Sequence, residues 1–342
     1  MASTEGIESM ERMDPVDLAA VIREIGRGAA GARDMSRTEA QQLYAALLDG
    51  QVPDLEQGAI AIALRMKTET IDEMVGFLAA ANERLPGLGR PPGKLRPVVI
   101  PTYNGARRSA NLTPLLALLL QRFGVPVLVH GLSDDYGRVT SERIFAEFGL
   151  PAATSLAQAQ LAIDEYGLAY LPLPLLSPGL ARQLALRNRL GLRNSAHSLV
   201  KMLDPFHGEA LLLAAATHPD YITSMRAILS AAGAHALLLR GSEGEPFANP
   251  KRRPLIEHLH DGLCDVLFEA ERDSLRVLPQ LPANCDASST VAWMRRVLAG
   301  DASVPLPIAN QLACCLYACG RAGDFNQAKA LVAVECAGLS IV

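Results

Sequence analysis

The chain has 342 residues, of which 49% are hydrophobic, with 36 acids against 32 Lys/Arg and a net charge of −4. That length exceeds what one core sustains and that apolar content excludes an intrinsically disordered chain, so two domains are expected. Six cysteines without Cys-x-x-Cys spacing exclude a disulfide scaffold and read as buried, reduced thiols, and the Cys314, Cys315, Cys319 cluster has no histidine or second cysteine pair for zinc.

Residues 1–15 are polar and acidic and contain no apolar core of a secretion signal. The caps then predict a run of short helices: Asp14-Pro15 starts one, and Ser36-Arg37-Thr38-Glu39 and Thr70-Ile71-Asp72-Glu73 fit the capping-box pattern. Gly87, Gly89, Pro91, Pro92 and Gly93 form a linker. The expected division is a helical N-terminal domain over 1–90 and an α/β domain over 91–342. Beyond the linker, short apolar runs alternate with helices, and Pro97–Ile100, Val125–Val129, Ala169–Leu173, Leu211–Ala215 and Ala236–Leu239 read as buried strands of a mostly parallel sheet. The stretch from Leu112 to Val129 is broken by Gln121, Arg122 and Gly124, so a helix and a strand explain it better than a membrane span. A cytoplasmic protein without membrane contact is expected. A helix from Ser177-Pro178 to about 190–192 is expected to pack back on the N-terminal helices and complete that domain. Glu257, His258, Asp261, His260 and Cys264 lack tetrahedral ligand spacing and read as an exposed helix end, and His197 and Lys201 lie four apart on one helix face. The tail from Asp286 is again helical, with Trp293 beside Arg295 and Arg296 at a surface or a dimer contact.

Charge is unevenly distributed. Arg84 to Ser133 holds seven bases and no acid, and Tyr166 to Leu203 adds Arg182, Arg187, Arg189, Arg193 and Lys201, again without an acid. Local potential, rather than net charge, steers a polyanion, and phosphate is the anion expected. In an open α/β sheet the ligand site lies at the carboxyl ends of the strands. The loop after the first strand, Pro101 to Pro114, carries Arg107 and Arg108 and leads into a helix that Thr113 is placed to cap and Pro114 to open.

These segments resemble the anthranilate phosphoribosyltransferase (TrpD) family. Pro101-Thr102-Tyr103-Asn104-Gly105 stands in the place of its glycine-rich diphosphate loop, Asn111-Leu112-Thr113-Pro114 in that of the following NxST motif, and Val129-His130-Gly131 in that of KHG. Leu190-Gly191-Leu192-Arg193-Asn194 matches LGxRT, which sets Arg193 where the family's arginine contacts anthranilate. The sequence also departs from that pattern. Tyr103 and Asn104 replace loop glycines, Val129 replaces a lysine, and the adjacent Asp-Glu pair that holds magnesium becomes Ser242-Glu243-Gly244-Glu245. The runs YNGARRSANLTPLLALLL, VHG and GSEGEPFANPKRRP resemble the YbiB-type branch of that family, which implies sequence-independent nucleic-acid binding, DNA first and RNA second, by a homodimer formed through the N-terminal helices. The apolar faces of helices 14–29 and 36–49 permit that dimer.

On this reading backbone phosphates meet Asn104, Arg107, Arg108, Asn111, Thr113, His130, Arg193, Lys201, Arg240, Lys251, Arg252 and Arg253, while Tyr103 is available to stack on an exposed base. No catalytic residue and no cofactor are assigned. The alternative is a glycosyl- or phosphoribosyltransferase acting on an aromatic or nucleobase-like acceptor, with magnesium held by Glu243 or Glu245, and anthranilate as the acceptor least suited to the altered loop.

Overall fold

The computed structural model describes residues 16–28, 30–133, 137–276 and 278–337. Four helices come first: α1 (Leu18–Ile25), α2 (Arg37–Leu48), α3 (Asp54–Lys67) and α4 (Ile71–Glu83). Both capping boxes form. Ser36 Oγ accepts the Glu39 N–H at 3.3 Å while Glu39 accepts the Ser36 N–H at 2.7 Å, and Thr70 and Glu73 repeat the exchange. Glu73 does more than cap: fully buried, it also accepts from the Met35 N–H at 2.9 Å and from Lys67 at 2.8 Å. The Asp14-Pro15 start lies outside the described residues, and α1 is capped by Asp17, which accepts the Ala20 N–H.

The α/β part runs β1 (Val98–Thr102), α5 (Thr113–Arg122), β2 (Val127–Gly131), α6 (Ser141–Phe148), α7 (Leu156–Tyr166), β3 (Leu168–Pro172), α8 (Leu173–Leu176), α9 (Pro178–Leu190), α10 (Ala196–Leu199), β4 (Leu211–Ala216), α11 (Pro219–Ala231) and β5 (Ala236–Arg240). It continues through β6 (Ile256–His260), β7 (Leu263–Phe268), α12 (Ala287–Ala299), α13 (Leu306–Ala318) and α14 (Phe325–Ala337). The sheet order is β3-β2-β1-β4-β5-β6-β7. The first five strands are parallel, and β6 and β7 are antiparallel additions. All five expected strands form within two residues of their expected bounds.

Alternating residues feed two cores. In β4, Leu212, Ala214 and Ala216 join the helical bundle on one face, while Leu211, Leu213 and Ala215 pack under α5, α12 and α13 on the other. Helix α9 packs back on α2. Gly179 lets it approach α2 so closely that a Cβ there would meet the Leu48 carbonyl oxygen at 2.4 Å. Arg182 and Gln183 then donate to the Leu48 and Leu47 carbonyls that end α2.

One expectation fails: Glu257, His258, His260 and Cys264 lie on a β-hairpin, not at a helix end. Its turn, Asp261-Gly262, is left-handed at both residues (φ 48° and 76°), which suits a two-residue hairpin. Glu257 is buried and binds Arg226 through both oxygens, at 2.9 and 2.7 Å. The cysteines divide. Cys314, Cys315, Cys319 and Cys336 are buried, Cys264 is exposed and Cys285 half-buried, and none is paired among the described residues. His197 lies on α10 while Lys201 falls in the turn beyond it. Trp293 is buried and donates to the Gln280 carbonyl, so it belongs to the core rather than to a surface. Among the described residues, no helix is long and apolar enough to cross a membrane.

Candidate functional site

The chain turns one way from β1 to β2, while β4 and β5 lie on the other side of β1. That reversal opens a crevice at the strand carboxyl ends, where α/β folds bind ligands. A cavity of about 440 Å³ lies there, between the end of β4, the α9–α10 segment and α3. Its charged lining is basic, with Arg65 from α3, Arg187 from the last turn of α9, Arg193, and Lys201. Glu243 is the one acid among its described lining residues. A narrower lobe of about 170 Å³ shares Asn104, Arg187, Arg193 and His197 with it and is walled by Tyr103, Leu184 and Val200.

Burial sets the protonation of Lys201 and His197. Lys201 donates to the Ala215 and Gly244 carbonyls, each at 3.2 Å, and its desolvation lowers the ammonium pKa to about 8. It is still a cation at neutral pH. Burial, helped by the Arg193 charge, lowers His197 to about 4, so that ring is neutral. Arg193 itself donates to Asn104 Oδ1 at 3.0 Å, joining the helical segment to the β1 loop.

The β1 loop was expected to offer its backbone N–H groups to phosphate. They are instead taken by the protein's own carboxylates. Glu243 accepts from the N–H groups of Arg107 (3.3 Å), Arg108 (2.9 Å) and Ser109 (3.0 Å) and from the Ser109 hydroxyl (3.0 Å). Burial alone raises its pKa, but these hydrogen bonds together outweigh burial and hold it below the usual carboxylate range. Glu245, fully buried, accepts the N–H groups of Asn104 (2.8 Å) and Gly105 (2.9 Å) and the hydroxyls of Thr102 and Thr113. Gly244 lets the two segments meet, since a Cβ there would come within 2.2 Å of Asn104 Nδ2. These two acids, at the position of the metal-binding pair in the TrpD resemblance, thus clamp the loop. Among the described residues, no group of three or more His, Cys, Asp or Glu side chains is placed to hold a metal. A magnesium-bound diphosphate does not fit these residues, because both the loop amides and the carboxylates it needs are engaged with each other.

Several predicted contacts are therefore placed elsewhere. Asn111 is buried, donating to Ser141 Oγ at 3.0 Å and accepting the Thr113 N–H at 3.1 Å. Thr113 does not cap α5; Leu112 holds the cap position, and the Thr113 hydroxyl turns to Glu245. His130 is buried with Nδ1 hydrogen-bonded to the Tyr103 hydroxyl, and desolvation drops its pKa to about 3, so it offers no charge to phosphate. Tyr103 is likewise buried rather than displayed for a base to stack on. Arg107, Arg108, Arg240, Lys251 and Arg252 are exposed at the same end of the sheet but are not among the described residues lining the cavity. Arg253 is tied down, ion-paired to Glu271 at 3.3 Å with its guanidinium 4.8 Å from the Phe268 ring centre.

The acid-free windows overstate the free charge for a similar reason. Arg84 pairs with Asp49, Arg90 with Glu209 and Arg189 with Asp54, while Arg96, Arg122 and Arg182 donate to backbone carbonyls. Arg65 and Arg187 were missed as site residues. Arg187 was visible inside the second acid-free window, whereas nothing local marked Arg65.

A helical bundle completed by α9, joined to a mostly parallel sheet with the β1 loop at its switch point, is the fold of the TrpD-like glycosyl- and phosphoribosyltransferase class. Residues 19–84 match the glycosyl transferase family, helical bundle domain. Anthranilate phosphoribosyltransferase (TrpD) from Thermus thermophilus superposes with a TM-score of 0.71 at 20% identity over 94% of both chains. The enzyme of that name from Rhodopseudomonas palustris is 25% identical over 322 residues, 92% of each chain. The YbiB protein of Escherichia coli (strain K12) is 45% identical over 318 residues, 93% of this chain and 99% of its own. The chain belongs to the TrpD-like family, in its YbiB-type branch.

Proposed function

We propose that this protein binds nucleic acid through backbone phosphates, without reading base sequence, in the cleft between its helical bundle and the carboxyl ends of β1 and β4. The observation that carries this reading is the convergence of Arg65, Arg187, Arg193 and Lys201 on one open cavity, where the one acid among the described lining residues is already hydrogen-bonded by loop N–H groups. Arginine and lysine on phosphate position a strand without specifying sequence. Exposed Arg107, Arg108, Arg240, Lys251 and Arg252 extend the positive field beyond the cleft. The alternative, transfer of a glycosyl or phosphoribosyl group, needs loop amides for pyrophosphate and a carboxylate for magnesium, and Glu243 and Glu245 have drawn both into internal contacts.

A homodimer suits the outer face of α3, where Leu55, Ile62 and Met66 are exposed beside Gly58. By contrast, the apolar residues of α2 turn inward, with Ala40, Leu43, Tyr44 and Leu47 in the core. Two clefts per dimer strengthen binding to a long strand by effective concentration.

The test is a fluorescence-polarisation titration of a labelled single strand and its duplex across a range of salt. Binding that weakens linearly with log salt supports the reading. No binding at low salt refutes it, and calorimetry with phosphoribosyl diphosphate and magnesium then tests the transferase alternative.

A further inference from the structure

The three consecutive N–H groups of Arg107, Arg108 and Ser109, with the Ser109 hydroxyl, form a concave donor set of the kind that binds anions, and its occupant is Glu243. Two further observations single this residue out. Glu243 sits at φ 53°, in the left-handed region that a side chain with a Cβ adopts only when its surroundings hold it there. It also lines the basic cavity that holds Arg193 and Lys201, whereas Glu245 is wholly buried and faces the loop's interior. Glu245 is a fixed clasp. Glu243 is a carboxylate held on that backbone donor set, on a tight turn from Ser242 to Glu245.

We propose that Glu243 is a built-in competitor that closes the Arg107–Ser109 seat to free phosphates and yields it only to a phosphate of a polyanion already held in the cleft. This inference rests on the nucleic-acid reading above. An attached carboxylate competes at high effective concentration, so a lone phosphate, pyrophosphate or nucleotide must overcome it unaided. A strand bound at several bases presents its next phosphate at a comparable effective concentration and displaces it. The device is selective because it rejects small anions rather than attracting the strand more strongly.

The probe is inorganic pyrophosphate without magnesium, titrated against the full-length protein and against Glu243→Gln, with Asp220→Asn as the charge control. Asp220 is exposed on the first turn of α11, with its carboxylate 3.4 Å from Nδ1 of His218 in the cavity lining rather than on the loop N–H groups. Calorimetry is expected to show saturable pyrophosphate binding to E243Q at least about tenfold tighter than to the parent or to D220N. In polarisation, pyrophosphate should displace a labelled strand from E243Q at concentrations where, against the parent, it acts no differently from sulfate of equal ionic strength. Equal pyrophosphate affinity for E243Q and D220N overturns the inference, and so does tight pyrophosphate binding by the parent. If the parent binds no strand, the nucleic-acid reading fails and with it the role of the polyanion, while the calorimetric comparison still decides whether Glu243 blocks the seat.

Discussion

Replacing Glu245 tests whether this buried carboxylate is a structural clasp of the β1 loop rather than a metal ligand. Its Oε1 accepts two backbone N–H groups, Asn104 and Gly105, and its Oε2 the hydroxyls of Thr102 and Thr113, all in a fully buried site. Glu245→Ala leaves those donors without an acceptor. A buried donor left unpaired costs about 1–3 kcal/mol, and the hydroxyls can turn elsewhere, so roughly 4 kcal/mol is expected for the four together. For a chain of this size that corresponds to a fall in Tm of about 6 °C. Glu245→Gln should be milder, at roughly 1–2 kcal/mol, since its oxygen still serves the two N–H groups and its amide can donate to the threonine oxygens. Thermal melts followed by circular dichroism, with and without magnesium, check both variants. The reasoning is refuted if E245A melts with the parent, or if magnesium raises the parent's Tm and leaves both variants unmoved, as a metal ligand requires.

Other outcomes follow from the same geometry. If the four cavity bases each meet one phosphate of a single strand, log K falls with log salt at a slope of about −2.8, and Arg193→Ala with Lys201→Ala should halve it to about −1.4; an unchanged slope places the strand elsewhere. Because Lys201 titrates near pH 8, affinity should fall as pH rises from 7 to 9, and Lys201→Arg should remove that component. The sign for folding is opposite: the folded pKa lies below that of the free side chain, so the unfolded chain binds more protons and stability from this group rises with pH above 8. If the outer face of α3 joins two copies, Ile62→Arg with Met66→Arg should halve the mass measured by sedimentation equilibrium without lowering helix content, and an unchanged mass refutes that interface.

Local chemistry made much of the fold legible. The capping boxes at Ser36 and Thr70 fixed two helix starts because both hydroxyl and carboxylate act within four residues. The five parallel strands were readable as continuous apolar runs because both faces are covered. The hairpin of β6 and β7 was read as an exposed helix end although Asp261-Gly262 is a strong turn signal, because its cluster of acids and histidines obscures the apolar alternation of the strands.

The site was harder to read. The sequence marked the β1 loop, but Glu243 and Glu245 lie 134–141 residues from the N–H groups they bind there, and no local pattern reveals that closure. Charge segregation along the chain likewise failed to predict charge segregation in space, because Asp49, Asp54 and Glu209 reach back to neutralise arginines of the acid-free windows. Arg65 joined the site only through the packing of α3 against the α9–α10 segment, which its own surroundings do not announce.

The location of the bound strand is the most direct test of the account. Hydrogen exchange measured with and without a saturating single strand is expected to show protection concentrated in residues 187–201 and the start of α11 near His218, which border the cavity, and in the 103–109 loop that enters it at Asn104. Protection confined to α12, α13 and α14 on the opposite core, or none at all with strand demonstrably bound, would contradict it.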